Sequence, residues 1–114
     1  TIVNIASVSA LMPMAGTGGY SASKAGLAMF TKCLGFDLGP TIRANSICPG
    51  VIKTEMTRYL WENPQHTQRA ADRTALKRLG TTEDVARAAL FLSSEDSAFT
   101  TGTEITVDGG FSWR

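Results

Sequence analysis

Tyr20, Ser21 and Lys24 fall in the run Tyr-Ser-Ala-Ser-Lys, directly after a loop holding Gly16, Gly18 and Gly19 and at the head of an apolar stretch. A helix starting here sets Lys24 one turn beyond Tyr20 on the same face, so the two side chains can share a site. A tyrosine ionises near pH 10, and proton exchange near neutrality asks for a bias of about 4 kcal/mol. A cation about 4 Å away at an effective dielectric of about 20 supplies that order of energy. The pair has the makings of a general acid/base.

Other readings of the run are weaker. Ser21-Ala22-Ser23-Lys24 has the S-x-x-K spacing of serine acyl-transfer enzymes, but the partner element K-T-G is matched only by Lys53-Thr54-Glu55, without its glycine. Gly16-Thr17-Gly18-Gly19 is no phosphate fingerprint, since G-x-G-x-x-G from Gly16 needs glycine where Ser21 stands and no strand leads directly into it. The blandest reading makes Tyr20 a core cap and Lys24 a solvated helix lysine.

The elements around the run favour the acid/base reading. Ile2 to Ala6 is a short β-prone run, apolar enough to be buried on both faces as in a parallel sheet, which puts residue 1 already in the core. A helix follows from about Tyr20 to Leu38 and ends at Gly39-Pro40. Its charges are few, so its apolar surface exceeds one stripe. The sheet is expected on one side and a second subunit on the other, with Gly26 and Gly35 admitting close backbone approach. Ala44 to Cys48 reads as the second strand, closed by Pro49-Gly50, and residues 54–79 as one or two short helices. Thr81 is an N-cap ahead of Glu83 and Asp84, Val85, Ala88, Ala89 and Leu92 recur at helical spacing, and Glu104 to Val107 is the third strand.

Strand, helix, strand, helices, strand is one βαβαβ half of a doubly wound, Rossmann-type parallel sheet, and such a half implies a partner half to cover its edge. Ligands of these sheets bind outside the strand carboxyl ends. Ser7 follows the first strand, and Pro49 and Gly50 follow the second, so Ser7, Tyr20 and Lys24 are expected at one crevice, with Ser7 donating to a carbonyl oxygen that Tyr20 protonates.

Composition narrows the classes. The 114 residues suit one domain; charged residues are 18%, apolar residues 43% and the net charge is +1, with the basic residues scattered, so neither nucleic acid nor a membrane surface is expected as partner. No apolar run approaches a membrane span and no signal peptide is visible, which reads as cytoplasmic. Cys33 and Cys48, with His66 alone for company, do not make a metal site and are expected to be reduced, packed thiols.

Taken together these residues resemble the C-terminal half of the short-chain dehydrogenase/reductase family, along essentially the whole chain. Ile2-Val3-Asn4-Ile5-Ala6-Ser7 is similar to the catalytic-serine strand, Tyr20 follows Ser7 at the family's thirteen-residue offset, and Tyr20 to Lys24 fits Y-x-x-x-K. Ile42-Arg43-Ala44-Asn45 and then Cys48-Pro49-Gly50-Val51-Ile52-Lys53-Thr54 resemble the nicotinamide-side loop. Arg78-Leu79-Gly80 and the stretch from Thr101-Gly102 to Val107-Asp108-Gly109-Gly110 match as well.

The resemblance implies hydride transfer between NAD or NADP and an alcohol/ketone pair. Tyr20 is then the acid/base, Ser7 holds the substrate oxygen, and Lys24 binds the nicotinamide ribose while easing ionisation of the tyrosine. The backbone of Pro49, Gly50 and Ile52 with the Thr54 hydroxyl positions the nicotinamide. Met56, Tyr59, Leu60 and Trp61 are a candidate substrate lid, and a homo-oligomer, dimer or tetramer, forms through the Tyr20 to Leu38 helix. The family's phosphate loop, the residues that choose between NAD and NADP, and an asparagine of its catalytic set belong to the N-terminal half, which this sequence lacks. The expectation is therefore a fragment of an enzyme about twice as long, unable to bind dinucleotide alone. The alternative is a half-length, non-catalytic interaction module.

Overall fold

The computed structural model describes residues 1–113, so Arg114, the last residue of the expected unit, lies outside the described residues. Strand β1 (Ile2–Ile5) is followed by helix α1 (Gly18–Asp37), strand β2 (Ala44–Pro49), helices α2 (Arg58–Trp61), α3 (Pro64–Asp72) and α4 (Thr82–Ser93), and strand β3 (Glu104–Val107). The strands form one parallel sheet in the order β1-β2-β3, with Ile5 opposite Ile47 and Ile47 opposite Ile105. This is a Rossmann-like α/β arrangement.

Strand β2 is the centre. Ala44, Asn45, Ser46, Ile47 and Cys48 are all buried, whichever way the pleat points them, so the sheet is covered on both faces there. Cys48 joins Ala6 and Ala28 of α1 in one apolar cluster, while the alternate side chain Ile47 is fully buried on the other face. Strand β1 differs from expectation. Its residues are half-buried, Ile5 is 45% exposed and Thr1 is exposed, because β1 pairs only with β2 and its outer edge carries no strand. Ala6 leaves the strand but is buried.

Polar groups that enter the interior have assigned partners. Asn45 donates to the Thr100 carbonyl (2.9 Å) and accepts from the Thr103 amide (3.1 Å), which sets the chain entering β3 beside β2. Arg43, just before β2, donates to the carbonyls of Leu92, Ser94 and Thr100 and to the Ser97 hydroxyl, gathering the C-terminal end of α4. Asn4 reaches from β1 to Thr31 of α1 at 2.9 Å.

Helix α1 begins two residues before Tyr20, with Thr17 at the N-cap position but its side chain making no capping bond, and Leu38 closes it by donating its amide hydrogen to the Leu34 carbonyl ahead of Gly39-Pro40. Two expectations about this helix change. Gly35 does not await a second subunit: a Cβ there would stand 2.7 Å from the Gly102 amide, so its missing side chain serves the approach of the chain's own loop before β3. Cys33 is exposed, not packed, since its direction on α1 faces away from the sheet. Gly26 has open space, and Met29, Phe30 and Phe36 remain exposed along the helix.

The segment between β2 and α4 holds the short helices α2 and α3, with Asn63 capping α3 through the amides of Gln65 and His66. Helix α4 carries a reciprocal cap. The Thr81 hydroxyl accepts from the Asp84 amide and the Asp84 carboxylate accepts from the Thr81 amide, while Arg78 clamps both carboxylate oxygens at 2.7 and 2.9 Å. The Arg78 guanidinium, with the Thr81 donors behind it, holds Asp84 well below the usual carboxylate range. Among the described residues no helix is long and apolar enough to cross a membrane.

Candidate active site

At the carboxyl end of β1 the chain turns at Ser7, whose hydroxyl accepts the Ser9 amide at 3.1 Å and starts a short 3-10 turn, Val8–Ala10. That turn directs the following loop across the sheet end to Thr17, where α1 begins. Tyr20 therefore sits in the first turn of α1, over the ends of β1 and β2.

Ser7, Tyr20 and Gly50 line one cavity of about 320 Å³. Gly50 reaches it because of how β2 ends. Its amide bonds the Val107 carbonyl at 3.0 Å, and a Cβ on it would fall 2.7 Å from the Asp108 Cβ, so only glycine brings the two strand ends this close. Behind Gly50, Asp108 accepts from the amides of Gly110 and Ser112 (each 2.8 Å) and from the Ser112 hydroxyl (2.6 Å). Burial pushes this carboxyl up, and the Ser112 and Gly110 donors more than reverse it, leaving Asp108 below its ordinary range.

Lys24 lies beside the cavity. Its ammonium donates to the Ile5 carbonyl at 2.9 Å and stands 5.8 Å from the centre of the Tyr20 ring. The sequence reading set the cation about 4 Å away, but the lysine is drawn toward the end of β1 and faces the ring. Ser21 takes no part with it: the Ser21 hydroxyl pairs with Thr17 at 3.0 Å, so the S-x-x-K arrangement does not assemble.

The remaining expected contacts divide. Met56, Tyr59 and Leu60 line the cavity, and Trp61 does not; its indole donates to the Thr54 carbonyl at 3.0 Å and ties α2 to the loop after β2. Pro49, Ile52 and Thr54 are not among the lining residues. Pro49 completes β2, and Ile52 is buried and bridges to Gly80. Thr54 opens a second 3-10 turn, its amide donating to the Thr57 hydroxyl at 3.0 Å. Sequence reasoning missed Val8, Ser9, Met14, Thr17, Thr57 and Phe111 as wall residues. Met14 and Thr17 lay in the glycine loop beside the recognised motif, but nothing local marks Phe111, which arrives from beyond β3.

A larger space of about 530 Å³ lies against Thr106 and Val107 of β3, with Leu76 and the Arg78–Asp84 pair at its wall. Neither Ser7 nor Tyr20 borders it, and β3 pairs on one side only, so the size of this space reflects an uncovered sheet edge. Among the described residues no group of three or more metal-ligating side chains gathers.

Parallel strands, a loop serine at the end of the first and a tyrosine and lysine one helical turn apart thus meet at the carboxyl end of a Rossmann-like sheet. The chain belongs to the short-chain dehydrogenase/reductase family: the family model described as enoyl-(acyl carrier protein) reductase matches residues 1–112. Similar proteins include L-xylulose reductase of Caenorhabditis elegans, 43% identical over 98% of this chain and 45% of that protein, and cyclopentanol dehydrogenase of Comamonas testosteroni, 40% identical over 96% and 44%. A solved 4-hydroxyisoleucine dehydrogenase complexed with NADH superposes with a TM-score of 0.94 at 37% identity, covering 99% of this chain and 47% of that one. The chain thus spans about half the length of the curated relatives it matches.

Proposed function

We propose that this chain is the catalytic half of an NAD- or NADP-dependent oxidoreductase that interconverts an alcohol and a ketone. The observation that carries the reading is the meeting of the Ser7 and Tyr20 hydroxyls and Gly50 at one cavity, with the Lys24 ammonium on the Tyr20 ring. A nicotinamide dinucleotide bound there supplies or accepts the hydride at the substrate carbon.

The chain's own residues manage the oxygen. In reduction Tyr20 gives its hydroxyl proton to the carbonyl oxygen as the carbon gains the hydride, and the phenolate recovers a proton from solvent; oxidation runs the same steps backward. Ser7, whose oxygen already accepts the Ser9 amide, has its own O–H left to donate to the same oxygen. Lys24 places positive charge beside the tyrosine. Of its three donors one is taken by Ile5, which leaves two for the ribose diol. Gly50 contributes backbone to the cavity wall, and the loop it opens, with the backbone of Pro49 and Ile52 and the Thr54 hydroxyl outside that wall, is assigned to the nicotinamide side.

Residues 1–114 by themselves are then expected to bind no dinucleotide and to be inactive, and saturable NADH or NADPH binding by the isolated segment overturns this part. In the full-length enzyme, Tyr20→Phe is expected to lower kcat/KM by about 10²- to 10⁴-fold while dinucleotide affinity stays within a few-fold. An unchanged kcat/KM removes Tyr20 from the chemistry. Exposed Met29, Phe30 and Phe36 on α1 support a second copy docking there, as a dimer or tetramer.

A further inference from the structure

Phe111 comes to the cavity from beyond β3, and the chain around it is fixed at several points. Gly109 and Gly110 take φ values of 62° and 80°, which glycine adopts freely, and with them the chain reverses after β3. The Gly109 carbonyl accepts from the amides of Ala75 (2.8 Å) and Leu76 (3.1 Å), and a Cβ on Gly110 would stand 2.8 Å from the Ala75 Cβ. The tail is thus bonded to the chain that follows α3. These contacts fix where the Phe111 backbone runs but leave the turn of its ring open. The ring is met by Arg73, the C-cap residue of α3, whose guanidinium carbon lies 4.5 Å from the ring centre. Phe111 is 3% exposed, so it is fixed wall and not rim.

Resting on the dehydrogenase reading above, we infer that Phe111 sets the upper size of the substrate that the cavity admits, and that Arg73 is the positioning residue that holds its ring in place. A packed aromatic ring backed by other groups does not make room for added methylenes without displacing its neighbours. Arg73 is itself exposed and is not among the described residues that line the cavity, so it acts through the ring. Its flat, delocalised head suits the face of an aromatic ring better than a compact ammonium does. The pair also joins two stretches of wall. Arg73 ends α3, which packs against α2, and α2 brings Tyr59 and Leu60 to the cavity, so the contact ties the tail after β3 to the segment that supplies those two residues.

The test uses the full-length enzyme with two alcohols of different bulk, cyclohexanol and cyclooctanol, each with NAD and with NADP. Phe111→Ala is expected to raise the kcat/KM ratio of cyclooctanol over cyclohexanol by about 10-fold or more, the low end of what one methylene decides in an apolar pocket, and Phe111→Leu, milder to the fold, to move it the same way. Arg73→Met keeps the stem and removes the cation, and is expected to raise the ratio by about 3-fold, with Arg73→Lys between it and wild type. In the double variant Arg73→Met/Phe111→Ala the ratio is expected to equal that of Phe111→Ala, since a residue acting through the ring has nothing to act on once the ring is gone. An unchanged ratio in the Phe111 variants, or equal loss on both alcohols, overturns the size limit. An Arg73→Met effect that persists without the ring overturns the positioning role. A reading without turnover separates the inference from the reaction it rests on. Fluorine NMR on Phe111→para-fluorophenylalanine is expected to show one resonance that shifts on adding cyclohexanone and shifts again in Arg73→Met. A ketone-dependent shift where neither alcohol is oxidised sustains the inference while the dehydrogenase reading falls; a resonance that ignores the ketone, or ignores Arg73→Met, overturns it.

Discussion

The Lys24 ammonium donates a 2.9 Å hydrogen bond to the carbonyl of Ile5, the last residue of β1. This bond joins the helix that carries Tyr20 to the strand that ends two residues before Ser7, so the lysine spaces the two hydroxyls as well as lending charge. Lys24→Ala is expected to reduce kcat/KM by at least about 100-fold in the full-length enzyme, more than loss of a surface lysine explains. Lys24→Arg keeps the charge in a flat, branched head that does not replace a compact ammonium, and is expected to recover only part of the activity. Initial-rate kinetics on both variants check this; full activity in Lys24→Ala removes the assigned role.

Gly50 and Asp108 meet with no room between them, since an added Cβ would lie 2.7 and 2.8 Å from the Asp108 Cβ and Cα. Gly50→Ala must part the ends of β2 and β3, at a cost of about 1–3 kcal/mol, and must also disturb the cavity wall. Denaturant unfolding should show that loss, with activity falling further than stability.

Acid should weaken the same corner. A carboxylate held below its unfolded value contributes stability that is complete above the unfolded value and is lost as pH falls through the lower, folded one. For Asp108 the window opens below about pH 4, where an unfolded aspartate takes up its proton. The melting-temperature gap between wild type and Asp108→Asn is therefore expected to be constant from neutrality to about pH 5 and to close toward about pH 2. A gap that persists at the acid end means that shape, not charge, holds Ser112 and Gly110.

Arg43 serves three carbonyls and one hydroxyl at the end of α4. Arg43→Met keeps the stem and removes the donors, leaving part-buried carbonyls without their partner, and is expected to cost about 1–3 kcal/mol in thermal or denaturant unfolding. Arg43→Lys, with one donor head in place of a fork, should restore less than half of that.

Phe36 is 89% exposed on α1, where Met29 and Phe30 are exposed as well. Phe30→Glu is expected to shift the full-length protein toward smaller species in analytical ultracentrifugation without changing its far-ultraviolet dichroism. Sedimentation unaffected by the substitution, or a wild-type monomer throughout, removes α1 from any interface.

What the sequence determined by itself is what depends on neighbours in the chain. The order of strands and helices, the Thr81–Asp84 cap, the end of α1 at Gly39-Pro40 and the one-turn spacing of Tyr20 and Lys24 all follow from patterns of two to four residues, fixed by the pleat and the helical turn. The tertiary structure alone decided what depends on contacts between residues far apart in the chain, with strand partners about 40 to 60 residues apart. It turned Gly35 toward Gly102 and Gly50 toward Asp108, left Cys33 and Ile5 exposed, drew Lys24 to Ile5 and carried Phe111 to the cavity. No local spacing encodes these contacts, because each is set by the parallel register of β1, β2 and β3 and by what the sheet leaves uncovered.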